Sequence, residues 1–181
     1  MDDELKEMVE RGEQVSRDSS LLLISLSAAV LAVLVAIATL LGHRAHTEEL
    51  LLQTRSSDLW AEYQAKSIRQ TTYESLATVV GVMQSSDHAK AEKLAEDFHE
   101  KSIHYDHDKK ELGKKANELQ SEQKKEQARG NSLDLAEALL EMALVITSIT
   151  LITKKRYFWY FGLFMGLAGV VIACQAVLLT R

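Results

Sequence analysis

Proline is missing from all 181 residues, so no ring removes a backbone donor and kinks a helix. Cysteine occurs once, at Cys174, which excludes a disulfide framework and a thiolate metal site. No stretch alternates apolar and polar residues with period two, so strands are not expected. There is no glycine-rich phosphate loop, nucleophile elbow or catalytic triad pattern. These gaps argue against an enzyme, and no catalytic, cofactor-binding or metal-ligating residues are assigned.

The most informative absence is local. Charge vanishes from residues 21–41 and 157–180, while 26 acids and 21 bases crowd the rest of the chain. Each window exceeds the roughly 20 apolar residues that cross a bilayer core of about 30 Å. A third apolar run, over 133–152, carries acids only in its first half. Residues 21–41 are too long for the apolar part of a cleaved leader, so that segment reads as a retained anchor. The middle of the chain, 45–132, holds 13 bases against 16 acids and lacks the basic face that nucleic acid requires.

The fold class predicted is an all-α membrane protein. It has three transmembrane helices and a long antiparallel, coiled-coil-like helical hairpin between the first and second. In order, the chain reads as a polar acidic tail (1–20), a first transmembrane helix (21–42) and an extramembrane hairpin (43–132) turning near 83–88. A second transmembrane helix (133–153), a basic turn (154–156) and a third transmembrane helix (157–180) follow. Ser85, Ser86 and Asp87 supply the turn-forming oxygens, and Gly130-Asn131 is expected to end the returning helix.

Along that returning helix Ala91, Phe98, Tyr105, Leu112 and Leu119 repeat every seven residues, the spacing that keeps one stripe on a partner helix. A companion row at Leu94, Lys101, Asp108 and Lys115 is poor, which predicts a loose pairing. Arms of about 40 residues reach roughly 60 Å. A turn at Ser86 brings Leu41 opposite Asn131, Trp60 near Leu112 and Lys66 near Asp106 or Asp108, so both arms meet the membrane at one level.

Lys154, Lys155 and Arg156 form a basic turn with no acid beside it. Positive loops stay cytoplasmic, so the N-terminus is placed in the cytoplasm and the hairpin on the opposite, periplasm-like side. Tyr157, Phe158, Trp159, Tyr160 and Phe161 suit the headgroup level.

The segment Trp60-Ala61-Glu62-Tyr63-Gln64-Ala65-Lys66-Ser67-Ile68-Arg69-Gln70, with Tyr73-Glu74 after it, resembles a bacterial membrane-protein family filed as a domain of unknown function, number 4337. The order of tail, span, charged helix, Leu-Ala-Glu-Ala-Leu-Leu, span, basic turn and aromatic-led span is similar too. The resemblance implies no activity. In physical terms Glu62 and Lys66 have the favourable i,i+4 order for an ion pair. Trp60, Tyr63 and Gln64 share a stripe suited to helix packing with a polar, register-setting contact.

Glu96-x-x-His99 and the run His99, Glu100, His104, Asp106, His107 and Asp108 suggest metal ligands, but Glu100, His104, His107 and Glu111 fall opposite the Phe98/Tyr105 stripe, where a solvated face belongs. Asp134, Glu137 and Glu141 project from one side of the second span, with His43, Arg44 and His46 as expected partners. Acids inside a bilayer are costly and read either as paired or as part of an ion path. Two seams of small residues predict close helix packing or oligomer contacts: Gly162, Gly166, Gly169, Ala173 and Ala176 in the last span, and Ser25, Ala29, Ala32 and Ala36, continued by Thr39, in the first. The function expected is a non-enzymatic, homo-oligomeric inner-membrane scaffold, tether or accessory protein, meeting lipid through its spans and a protein partner through the hairpin. The alternative is an ion-conducting or proton-coupled assembly using Glu141.

Overall fold

A computed structural model describes the backbone of residues 2–83 and 88–178 and the side chains of 21–83 and 88–178. The described residues are all-helical: α1 (Asp2–Val82), α2 (His88–Thr153) and α3 (Arg156–Leu178). Each helix is long and apolar enough to cross a membrane. The turn expected near 83–88 lies largely outside the described residues. Gly130-Asn131 does not end a helix, because α2 runs through both. Gly130 is instead a point of close approach: a Cβ there would lie 2.8 Å from the His46 ring. The basic turn is as tight as its sequence suggests. Lys154 takes the left-handed conformation, φ 56°, and its N–H closes α2 on Thr150 O at 2.8 Å, a common way to satisfy a terminal carbonyl.

The chain divides into two compact units, one from Met1–Thr47 with Glu126–Arg181 and one from Glu48–Lys125. In the first unit α2 is the most enclosed element. Leu133, Ala136, Leu140, Ala143, Thr147 and Thr150 are buried at spacings of 3, 4, 3, 4 and 3, a stripe that faces neighbours along its whole length. The buried apolar side chains of α1 in this unit are Ile24, Leu31, Ala38 and Ala45, seven apart, and Gly42 is buried too. From α3 come Gly162, Gly166, Gly169 and Ala176. The glycines make the approach close. A Cβ at Gly169 would stand 3.0 Å from Ala136 O, and one at Gly166 would stand 2.7 Å from Leu31 Cδ2.

One expected seam is therefore in the core and the other is not. Gly162, Gly166, Gly169 and Ala176 are buried and Ala173 is half-buried, but Ser25, Ala29, Ala32 and Ala36 are all exposed within the chain. Close packing needs a small residue on only one of two facing helices. With α3 supplying glycine, α1 inserts the larger Ile24 and Leu31. The small residues Ser25 and Ala32 come one position later, about 100° further round the helix.

In the second unit the seam of α1 passes through Leu52, Ser56, Leu59, Tyr63, Lys66, Gln70 and Tyr73, alternating steps of four and three. In α2 the half-buried row is the expected Ala91, Phe98, Tyr105, Leu112 and Leu119. Its companion lies four residues on, not three: Ala95, Ser102, Lys109 and Ala116. Of the expected companion row Leu94, Lys101 and Lys115 are exposed, and only Asp108 is half-buried. The choice of four puts small side chains, Ser102 and Ala116, where the helices come closest. Partner numbers fall along α2 as they rise along α1. Ser56 Oγ donates to Ala116 O at 3.2 Å, Tyr63 lies on Gly113, Lys66 meets Asp108, and Tyr73 stacks on Tyr105 with centroids 5.7 Å apart.

Candidate functional site

Two constellations hold the polar residues that a partner or ligand would meet. The first is a polar layer across the second unit, built on the Gln-Ala-Lys-Ser-Ile segment. Lys66 sits on the inward stripe of α1, and its Nζ donates to Asp108 Oδ2 at 2.5 Å. Glu62, one turn earlier, stands 3.9 Å from the same ammonium, the i,i+4 arrangement expected. Both members of the Lys66–Asp108 pair are mostly covered, with side chains 22% and 25% exposed, so the bond is shielded from competition by water.

The hydrogen bond from Lys66 holds the Asp108 carboxyl below its ordinary range, and the Asp108 bond raises the Lys66 ammonium in turn. Beside them Lys109 Nζ donates to Gln70 Oε1 at 2.5 Å, and Lys110 donates to Asp106 Oδ2 at 2.6 Å. The Lys110 bond is the main reason the Asp106 carboxyl is held low.

The stripe assignment for this segment needs one correction. Trp60 and Tyr63 are half-buried and meet edge to face with centroids 5.2 Å apart, but Gln64 is exposed. The amide that bridges the helices is Gln70, seven residues after Tyr63 and so on the same face. That signal was present in the heptad spacing. Its partner Lys109 was harder to find, because a lysine on a seam reads as a solvated residue until its stem is seen lying along apolar surface.

The second constellation is the line of carboxylates in the first unit. The expected partners divide among these acids. His46 Nε2 lies 3.0 Å from Asp134 Oδ2, while His43 and Arg44 are exposed. The Thr39 hydroxyl lies 2.5 Å from Glu137 Oε1 and 3.0 Å from Val35 O. Glu141 is exposed, with no hydrogen bond or ion pair among the described residues, so its expected burial against His43, Arg44 or His46 does not occur within the chain. The register explains this: Asp134 is already level with Gly42 and His46, and Glu141 lies two turns, about 10 Å, further along α2. Thr39 continues the exposed stripe of Ser25, Ala29, Ala32 and Ala36. Its bond to Glu137 therefore puts that small-residue face beside the line of acids.

Glu96, His99, Glu100, His104, Asp106, His107 and Asp108 do not form a ligand set. Among the described residues no three His, Cys, Asp or Glu side chains converge as a metal would require. One bond had no signal in the sequence. Trp159 Nε1 donates to Ser27 Oγ at 3.0 Å, tying the aromatic start of α3 to α1. Thr147 is the other buried polar group of note, its Oγ1 without a partner and facing Gly162 at the closest point between α2 and α3.

No curated protein and no solved structure matches the chain. A family model does match, over residues 20–179, which takes in all three apolar segments and both polar constellations. By that match the chain belongs to the family described as domain of unknown function (DUF4337).

Proposed function

We propose that the protein is a non-enzymatic, homo-oligomeric scaffold or tether of the inner (cytoplasmic) membrane of a bacterium. Its N-terminus lies in the cytoplasm, and residues 43–132 form an antiparallel helical hairpin in the periplasm that meets a protein partner. The falling order of the contacts Ser56–Ala116, Tyr63–Gly113 and Lys66–Asp108 supports the hairpin. The observation that carries oligomerisation is Glu141, an exposed carboxylate with no partner among the described residues, on a helix apolar enough to cross a bilayer. An acid facing lipid is strongly penalised, and a polar group from a second copy relieves that cost. The adjacent small-residue face of α1 gives such a copy a surface on which backbones approach closely.

The test is the mass of the purified particle in mild detergent. An oligomer that Glu141→Leu weakens supports the reading, and a monomer at all concentrations defeats it. The same Glu141 favours conduction as the second reading. Cation or proton flux in reconstituted vesicles, abolished by Glu141→Gln at unchanged particle mass, would replace the scaffold with a conducting assembly.

A further inference from the structure

We propose that the face between α1 and α3 is a binding site for an anionic phospholipid, with one acyl chain along an apolar groove and the phosphate held by Lys154, Lys155 and Arg156. The groove has a volume of about 470 Å³ and runs from Leu23 and Trp159 to Leu34 and Val170. A second, of about 330 Å³, shares Leu34 and Val170 and continues to Leu41 and Leu178. Ser27 is the only hydroxyl on either wall, and its oxygen is already taken by Trp159 Nε1. Water has nothing to bond in such a channel, whereas hydrocarbon fills it without loss.

Length and charge select the occupant. Along α1 the first groove spans Leu23 to Leu34, roughly 16 Å at 1.5 Å per residue, close to the depth of one leaflet of a core about 30 Å thick. Its Trp159 end opens where the chain turns from α2 into α3. Arg156 precedes the groove-lining Leu163 by seven residues, and Leu163 precedes Val170 by seven, so the arginine heads the stripe that walls the groove. Lys154, Lys155 and Arg156 are all exposed, and none forms an ion pair among the described residues. Three exposed cations at the mouth of a leaflet-deep apolar groove complement a negative headgroup carrying a fatty chain, and basic residues at a membrane surface recognise such lipids by charge. Trp159 lies one turn below them, with its indole N–H satisfied and its ring facing the chain.

The experiment is native mass spectrometry of the full chain in mild detergent, titrated with phosphatidylglycerol or with phosphatidylcholine carrying the same acyl chains. The unmodified protein should retain phosphatidylglycerol and hold phosphatidylcholine far less. Replacing Lys154, Lys155 and Arg156 by glutamine should lower phosphatidylglycerol retention by roughly fivefold for each cation removed. Lys154→Arg with Lys155→Arg should preserve it, and Val30→Trp, which fills the groove, should reduce it with the cations intact. Lys124→Gln with Lys125→Gln, which removes the same kind of charge from the second unit, should change nothing. Equal retention of the two lipids by the unmodified protein overturns the proposal, and that measurement needs no variant to fold. So does undiminished retention after Val30→Trp, or an equal loss from the Lys124/Lys125 pair, which would mean diffuse attraction without a site.

Discussion

Lys66 and Asp108, 42 positions apart in sequence, meet through a hydrogen-bonded ion pair at 2.5 Å in the middle of the second unit. The folded Asp108 carboxyl titrates below its ordinary 3.8, so its contribution to stability is present above that value and is lost as pH falls through the folded one. The folded Lys66 ammonium titrates above 10.5, so its contribution is present below 10.5 and is lost as pH rises through the folded value. Asp108→Asn should lower the melting temperature at neutral pH. The gap between variant and unmodified protein should close on acidification, as followed by helicity in detergent from pH 7 downward. A gap of constant size would show that the charge on Asp108 does not matter.

The glycines should divide by what surrounds them. At Gly162 an added Cβ would meet Thr147 Oγ1 at 2.5 Å and Ala143 O at 3.0 Å, and the backbone oxygen cannot swing away. Gly162→Ala should cost about 1–3 kcal/mol, as overpacking does. Gly166→Ala meets the flexible end of Leu31 at 2.7 Å and Ala143 Cβ at an ordinary 3.6 Å, and should cost less. Gly81→Ala has nothing within 4 Å and should stabilise by about 0.5–1 kcal/mol, through helix propensity alone. Thermal unfolding of the three variants gives the order directly.

Thr39→Val keeps the shape of the side chain but removes the hydroxyl that lies 2.5 Å from Glu137 Oε1. The half-buried carboxyl loses its neighbour, and the loss should be about 1–2 kcal/mol. Thr47→Val, whose hydroxyl bonds only to His43 O on an exposed face, should change stability by less than about 0.5 kcal/mol. Equal effects would show that the Glu137 contact contributes nothing specific.

The proposed antiparallel hairpin is open to a crosslinking test in intact membranes, on a Cys174→Ser background. Ser56→Cys paired with Ala116→Cys should form a disulfide readily, because Ser56 Oγ lies 3.2 Å from Ala116 O and both residues are buried. Ser56→Cys paired with Phe98→Cys should not. The reverse result would exclude the antiparallel order.

Three helices able to cross a membrane were legible from the sequence, because lipid imposes a length and a lack of charge that hardly any other environment demands. The Lys66–Asp108 contact was legible as well, since placing a turn at Ser86 puts Lys66 level with Asp106 or Asp108. Which face of α1 would be buried was not legible. Ser25, Ala29, Ala32 and Ala36 have the composition of a packing seam, yet they point outward because Gly166 on α3 makes room for Leu31. The same holds for Gly130, which looks like a helix stop and is a place for His46 to lie. Periodicity within one helix identifies its possible faces. The choice among them belongs to the neighbouring helix, because close packing depends on the pair of surfaces and neither chain segment contains the other's shape.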